Sequence, residues 1–116
     1  MRTVLIVDDH DAFRESARAL LEADGYDVVG EAGDGPRAIL AVAALRPNIV
    51  LLDIQLPGPD GFVVAEELAR APDPPLVVLI SSRDAATYGS RLDTTSARGF
   101  LTKSRLSGEA LAALVD

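Results

Sequence analysis

Short apolar runs alternate along this chain with longer stretches in which apolar residues recur at helical spacing. The first run, residues 4–7, reads Val-Leu-Ile-Val and stops at Asp8 and Asp9. A strand that is apolar at every position is typical of a parallel sheet covered on both faces. The pattern predicts five strands, at residues 4–7, 26–31, 48–53, 76–81 and 99–102.

The intervals between these runs show the pattern of amphipathic helices. After the first run, apolar residues recur at helical spacing from Phe13 to Leu21, while charged residues fill the opposite face. Asp34 and Ser107 stand where the N-caps of the second and fifth helices are expected. The interval 85–96 contains glycine, threonines and serines that weaken the pattern, so we expect a short or frayed helix there.

This alternation of strands and helices implies right-handed crossovers and a parallel sheet between two helical layers. The predicted fold is α/β: a flavodoxin-like, doubly wound sheet of five parallel strands in the order 2-1-3-4-5, with five helices, in three layers. A length of 116 residues suits one domain, and the chain has no obvious linker or repeat. We therefore expect residues 1–116 to form a single domain.

Composition argues against several classes of function. The net charge is −7, with 18 acidic residues against 11 lysines and arginines, so direct binding to nucleic acid or to an anionic membrane is not expected. The absence of cysteine excludes disulfides, zinc thiolates and thiol nucleophiles. The apolar runs are too short to span a bilayer, and the amino terminus does not resemble a secretory signal. These features favour a soluble protein of the cytoplasm.

Polar residues follow the predicted strands at the edge where sheets of this kind bind ligands. Asp8 and Asp9 follow the first strand, and Asp53 ends the third. Ser81 ends the fourth strand, and Lys103 follows the fifth. Since the first and third strands are neighbours in this order, the three acids should share one pocket. Ser81 and Lys103 are expected on its far rim.

These residue types together predict phosphoryl chemistry. Three carboxylates held close repel one another unless a cation binds between them. Mg²⁺ fits because it takes few carboxylates, keeps several waters and completes its shell with phosphate oxygens. Lys103 could then meet a phosphoryl oxygen, and the Ser81 hydroxyl could donate to it, while one carboxylate acts as the nucleophile. A single acid at a strand end is often only a solvated residue or a helix cap, so the prediction rests on the whole set.

The strand-end segments resemble, from end to end of the chain, the receiver domain of bacterial two-component response regulators of the NarL/FixJ type. In order, they are Asp8-Asp9-His10, Asp53-Ile-Gln-Leu-Pro-Gly-Pro-Asp-Gly61, Ser81, and Gly99-Phe-Leu-Thr-Lys103-Ser. None of these motifs is specific alone, but their order and their places at the strand ends make a strong signal. The chain departs from the family pattern at Ser104, where many relatives have proline, and at Ser96, where glycine is frequent.

The resemblance implies a phosphoacceptor and a metal site. Asp53 would be the phosphoacceptor. Mg²⁺ or Mn²⁺ would be the cofactor, with Asp9, Asp53 and the backbone carbonyl of Gln55 as direct ligands and Asp8 bound mostly through water. His10, beside the acid pair, is expected to be a solvated loop residue.

The resemblance also implies a signalling switch. A sensor histidine kinase would donate phosphoryl to Asp53, with Lys103 and Ser81 assisting, and Ser81 and Phe100 would be the switch residues. The conformational change would control an output, expected to be transcription through a helix-turn-helix domain that residues 1–116 do not contain. Phosphorylation would allow homodimers through the helix 4–strand 5–helix 5 face or the helix 1–helix 5 face.

The alternative is an aspartyl-phosphate phosphohydrolase built on a similar sheet. Such an enzyme needs a second acid two residues after the nucleophile to protonate the leaving group. That position is Gln55, which cannot donate the proton. We therefore expect a phosphoacceptor that is not an enzyme, with only self-phosphorylation and autodephosphorylation activity.

Overall fold

The computed structural model describes residues 2–116, and its sheet has the predicted topology. The strands are β1 (Thr3–Val7), β2 (Asp27–Ala32), β3 (Ile49–Asp53), β4 (Leu76–Ser81) and β5 (Gly99–Thr102). The helices are α1 (Asp11–Ala23), α2 (Gly35–Leu45), α3 (Gly61–Ala69), α4 (Arg91–Thr94) and α5 (Gly108–Val115). All strand pairs are parallel, and the order is β2-β1-β3-β4-β5. The predicted flavodoxin-like fold is therefore confirmed.

Two apolar clusters lie on opposite faces of the sheet and make the three layers. Alternate residues of a strand point to opposite faces, so Leu5 and Val7 of β1 join the cluster that contacts α2, α3 and α4. Val4 and Ile6 join the cluster that contacts α1 and α5. Every residue of β3 is buried, which explains why its sequence is apolar without alternation up to its last residue.

The predicted helix caps are present. The Asp34 carboxylate accepts a hydrogen bond from the amide of Arg37 at 2.9 Å, and the Ser107 hydroxyl accepts one from the amide of Ala110 at 2.9 Å. These bonds satisfy amides that have no partner inside the first turn of a helix. The caps therefore fix the first residues of α2 and α5, at Gly35 and Gly108.

The interval 85–96 forms only a short helix, as its sequence predicts. A 3-10 turn at Ala85–Thr87 precedes the four-residue α4, and Gly89 between them has a φ of 53°. Side chains of α3 and of its N-cap hold the segment in place. Glu66 accepts from the amide of Ser96 at 2.8 Å, and Arg91 donates to Asp60 at 3.0 Å.

Other details were not predicted from the sequence. A 3-10 turn at Lys103–Arg105 follows β5 directly, and residues 2–116 contain no cis peptide bond, so the Lys103–Ser104 bond is trans. Tyr26 lies before β2 rather than in it, and its hydroxyl donates to the Gly108 carbonyl at 3.2 Å. None of the helices in the described part of the chain is long and apolar enough to cross a membrane.

Gly61 offers a test of the close packing between the β3–α3 loop and the sheet. A methyl group at this position would overlap the Asp53 carbonyl oxygen and lie 2.7 Å from the Ile54 Cα, both rigid backbone atoms. We expect Gly61→Ala to lower the free energy of unfolding by about 2–3 kcal/mol in urea titrations. Gly58→Ala is the control, because Gly58 faces open space and only its φ of 72° is unfavourable for alanine, which costs about 1 kcal/mol. Equal losses in both variants would contradict the packing argument.

Candidate functional site

Three polar side chains are buried at the carboxyl ends of adjacent strands. Asp8 follows β1, and Asp53 and Ser81 end β3 and β4, with exposed fractions of 0%, 2% and 0%. The parallel register pairs Val7 with Leu52 and Asp53 with Ile80, so the strands end side by side. The structure thus brings together the residues that the sequence placed at one edge. Asp9 lies at the same edge but is exposed.

Lys103 reaches the centre of this site instead of staying at its rim. Its Nζ lies 2.5 Å from Asp8 Oδ2 and 3.3 Å from Asp53 Oδ2. The ammonium also sits 4.4 Å from the centroid of the Phe13 ring, on α1, in a cation–π arrangement. The long lysine stem spans the distance that separates β5 from β1 in the sheet, and one cation thereby neutralises part of the charge of two buried carboxylates.

The environment of Asp53 disfavours its ionised form. Burial first, and the charge of Asp8 second, raise the pKa of Asp53 to about 6. Lys103 and the amide of Gln55, which donates to Asp53 Oδ1 at 3.1 Å, offset only part of this effect. Asp53 is therefore ionised near neutral pH, and its ionised form lowers the stability of the fold.

Asp8 and Lys103 shift in the opposite sense. Burial alone would raise the pKa of Asp8, but hydrogen bonds from Lys103 and from the amide of His10 outweigh it and hold the pKa below its usual value. Burial would likewise lower the pKa of Lys103, but the two carboxylates outweigh it and raise the pKa. The surroundings thus favour the charged forms of Asp8 and Lys103, which make an ion pair, and disfavour the charged form of Asp53.

The acid cluster fits a hard cation. Ligand atoms of Asp8, Asp9, His10 and Asp53 all lie within 4.8 Å of one another. Among residues 2–116, the buried Asp8 Oδ2 has no partner besides the Lys103 ammonium, so part of its acceptor capacity is unused. Buried carboxylate oxygens with free acceptor capacity are the ligands that Mg²⁺ takes. Gln55 contacts Asp53 through its amide, and the role of its carbonyl as a metal ligand stays a prediction.

His10 is more closely involved than the sequence suggested. Its ring is exposed, as expected for a loop residue, but Nδ1 lies 3.1 Å from Asp8 Oδ1 and 3.1 Å from Asp9 Oδ1. Its amide also donates to Asp8 Oδ1 at 2.8 Å. His10 therefore contacts both members of the acid pair.

Ser81 lies beside an aromatic row. Its Oγ accepts from the amide of Arg83 at 3.0 Å and lies 2.6 Å from the hydroxyl of Tyr88. The Tyr88 ring packs edge-on between Phe62 and Phe100, with centroid distances of 5.7 and 6.0 Å. Phe100 is half-buried in this row. It lies on β5, which pairs with β4, the strand that Ser81 ends.

The contacts of Tyr88 and Phe13 were not predicted from the sequence. Tyr88 belongs to the interval 85–96, where no periodicity indicates which side chains face the sheet. The available signal was composition, since Tyr88 is one of two tyrosines and follows Ser81 by seven residues. Phe13 was expected on the apolar face of the first helix, but its place under the Lys103 ammonium depends on how α1 is set against the sheet.

The comparisons with known proteins point to one family. The family model described as "Response regulator receiver domain" matches residues 4–115. The chain is 36% identical over 104 residues to the response regulator GacA of Pseudomonas protegens, covering 89% of this chain and 49% of that protein. It is 38% identical over 114 residues to the transcriptional regulatory protein NarL of Mycobacterium tuberculosis, covering 97% and 53%. The solved signal receiver domain of that NarL superposes with a TM-score of 0.87 at 34% identity, covering 97% of this chain and 94% of the solved one. The chain spans about half the length of the curated relatives it matches.

The raised pKa of Asp53 predicts how its removal changes stability with pH. The pKa is about 6 in the folded protein and 3.8 for the unperturbed group, so ionisation disfavours folding. The cost of the charge is absent below pH 4, grows between pH 4 and 6, and is complete above pH 6. With EDTA present, Asp53→Asn should be more stable than wild type at pH 7.5 by up to about 3 kcal/mol. Urea titrations should show that this advantage shrinks as the pH falls from 6 to 4. An advantage that is constant with pH, or a less stable variant, would argue against this electrostatic account.

The acid cluster predicts that Mg²⁺ stabilises the fold, because the unfolded chain has no assembled site. The melting temperature should rise by several degrees in millimolar Mg²⁺ at matched ionic strength. Asp9→Asn should reduce the rise, whereas Asp27→Asn, an exposed acid at the opposite edge of the sheet, should keep it. The same melting temperature with and without Mg²⁺ would contradict a metal site.

Proposed function

The chain belongs to the response regulator receiver domain family of two-component systems, as its motifs predicted, and we propose that it is a switch operated by phosphorylation of Asp53. Receiver domains are generally signalling modules rather than enzymes. The observation that carries the proposal is the Asp53 carboxylate, buried at the end of β3 within 3.3 Å of the Lys103 ammonium. This carboxylate is the one that its surroundings favour least as a free anion.

The donor we propose is the phosphohistidine of a sensor histidine kinase. A carboxylate oxygen of Asp53 attacks the phosphorus, the P–N bond breaks, and its electron pair leaves with the imidazole, which takes up a proton. The product is an acyl phosphate on Asp53. A pKa of about 6 supports this role, because the nucleophilic carboxylate is mostly ionised at neutral pH. Lys103 is placed to meet the phosphoryl oxygens, since its Nζ already contacts Asp53.

We propose Mg²⁺ as the cofactor, held by Asp9, Asp53 and the Gln55 carbonyl, with Asp8 binding mostly through water. Mn²⁺ would serve in its place, because it takes the same oxygen ligands. When bound, the ion neutralises negative charge on the carboxylates and on the transferring phosphoryl group. The receiver family typically binds Mg²⁺, and the free acceptor capacity of Asp8 Oδ2 supports the assignment.

The output is proposed at two levels. Ser81 and Phe100 would pass the change at Asp53 to the α4–β5–α5 face, and this face or the α1–α5 face would form homodimers in the phosphorylated state. Because relatives such as GacA and NarL are named as response or transcriptional regulators, we propose transcription as the process controlled. A helix-turn-helix domain outside residues 1–116 would bind the DNA, and residues 1–116 would be one receiver domain.

The phosphohydrolase alternative has no support at the residue that it needs. The Gln55 side chain is uncharged and the residue is exposed. Its backbone N–H donates to Asp53 Oδ1. Hydrolysis of the acyl phosphate by water, which attacks phosphorus and returns the Asp53 carboxylate, is proposed as the only hydrolytic reaction of the domain.

The proposal predicts that Asp53 is the only phosphoryl acceptor. With acetyl phosphate or phosphoramidate and Mg²⁺, intact mass measurement should show one added phosphoryl group on the wild type. Asp53→Asn should gain none, with an unchanged circular dichroism spectrum, and Asp84→Asn, an exposed acid beyond β4, should react as wild type does. A phosphoryl group found on His10 or on a serine would refute the assignment. Turnover of phosphate monoesters by the purified protein would favour the enzyme instead.

A further inference from the structure

The Tyr88 hydroxyl is hydrogen-bonded to the Ser81 hydroxyl. The two oxygens are 2.6 Å apart, which is a short distance for a neutral O–H···O hydrogen bond. Ser81 Oγ also accepts from the amide of Arg83 at 3.0 Å. Among residues 2–116, these are the hydrogen bonds recorded for Ser81 Oγ, and neither partner is Asp53 or Lys103. The hydroxyl is therefore directed toward the β4–α4 loop and not toward the phosphoryl site.

A change of partner at Ser81 requires a discrete movement. Side chains occupy staggered rotamers, so Ser81 Oγ leaves Tyr88 by a rotation of about 120° rather than by a small adjustment. Ser81 is fully buried, where an unpaired hydroxyl is unfavourable. Any second arrangement of the hydroxyl must therefore supply a new hydrogen-bond partner in place of Tyr88.

Tyr88 also contacts residues of α3 and β5 besides Ser81. Its ring lies between Phe62 of α3 and Phe100 of β5. Tyr88 also ends the 3-10 turn that leads into α4. A change at its hydroxyl thus acts on the ring row and on the segment that carries α4.

We propose that Tyr88 is a positioning residue for this switch: its hydroxyl holds Ser81 in the unphosphorylated domain, and phosphorylation of Asp53 exchanges this hydrogen bond for one between Ser81 and the phosphoryl group. Phe100, which has no hydroxyl of its own, forms a T-shaped contact with the Tyr88 ring. The aromatic hydroxyl of this switch is therefore supplied by the β4–α4 loop and not by β5. This inference rests on the proposed role of Asp53.

Affinity for beryllofluoride, a phosphoryl analogue that binds the acceptor carboxylate with Mg²⁺, tests the exchange. Tyr88→Phe removes the hydroxyl and keeps the ring, so binding no longer breaks the hydrogen bond between Ser81 and Tyr88, and affinity should rise roughly three- to tenfold. In a Ser81→Ala background, Tyr88→Phe should have no further effect. Tyr26→Phe is the matched control, because the Tyr26 hydroxyl bonds to the Gly108 carbonyl outside this site, and its affinity should equal that of wild type.

A spectroscopic measurement reports the hydrogen bond itself. The chain has two tyrosines, so labelling with ¹³C at the Cζ atom gives two NMR signals, and Tyr88→Phe identifies which is which. The Tyr88 signal should move when beryllofluoride binds to wild type. In Ser81→Ala it should be displaced before beryllofluoride is added and change little afterwards.

The outcomes separate this inference from the proposed function. If wild type binds beryllofluoride, but Tyr88→Phe leaves the affinity unchanged or lowers it, the exchange is wrong and the role of Asp53 stands. A Tyr88 signal that does not respond to beryllofluoride in wild type would have the same meaning. If wild type binds no beryllofluoride in Mg²⁺, the proposed function fails, and the inference about Tyr88 fails with it.

Discussion

The burial of two carboxylates beside a single ammonium is the constraint on which the rest of this site depends. Asp8 directly follows β1, Asp53 ends the neighbouring strand β3, and both are buried from water. The two acids share one lysine, and Asp8 has the shorter contact with Lys103 while Asp53 has the longer one. The difference appears in opposite pKa shifts, with Asp8 lowered and Asp53 raised to about 6. The fold thus holds an anion at Asp53 at a cost in stability, and that cost falls whenever a cation or an electrophile binds there.

The residues around Asp8, Asp53 and Lys103 fix the positions of these three side chains. Lys103 follows β5, two strands away from β3, yet its Nζ reaches back to contact both acids. Phe13 on α1 covers the ammonium, and Gly61 lets α3 begin against the backbone of Asp53 without a side chain between them. Asp53 is only 2% exposed in this packing, and this burial is the first cause of its raised pKa.

Sequence could predict those parts of the protein that depend on local pattern. The apolar runs gave β4 and β5 their observed bounds, Asp34 and Ser107 gave the caps, and the strand ends gave the set of polar residues at one edge. What could not be predicted depends on the reach and direction of side chains. A lysine after β5 can extend to the rim or to the centre, and only the packed structure decides this. In the interval 85–96, neither helical nor strand periodicity assigns a face to Tyr88, so its contact with Ser81 is visible only in three dimensions.

The proposed switch would link the hydrogen bonds of Lys103 and Ser81 through the charge on Asp53. While Asp53 is a bare carboxylate, Lys103 is shared with Asp8, and the Ser81 hydroxyl has its partners in Arg83 and Tyr88. A phosphoryl group on Asp53 would place strong acceptor oxygens where the lone carboxylate was, and both donors would then have a better partner on the β3 side. From one rotamer, the Ser81 hydroxyl could not bond both Tyr88 and a phosphoryl oxygen. Tyr88, whose ring lies between Phe62 and Phe100, would then lose its hydrogen bond to Ser81. In the switch proposed above, a change of charge at Asp53 would thereby select between two packings of the segment that leads into α4.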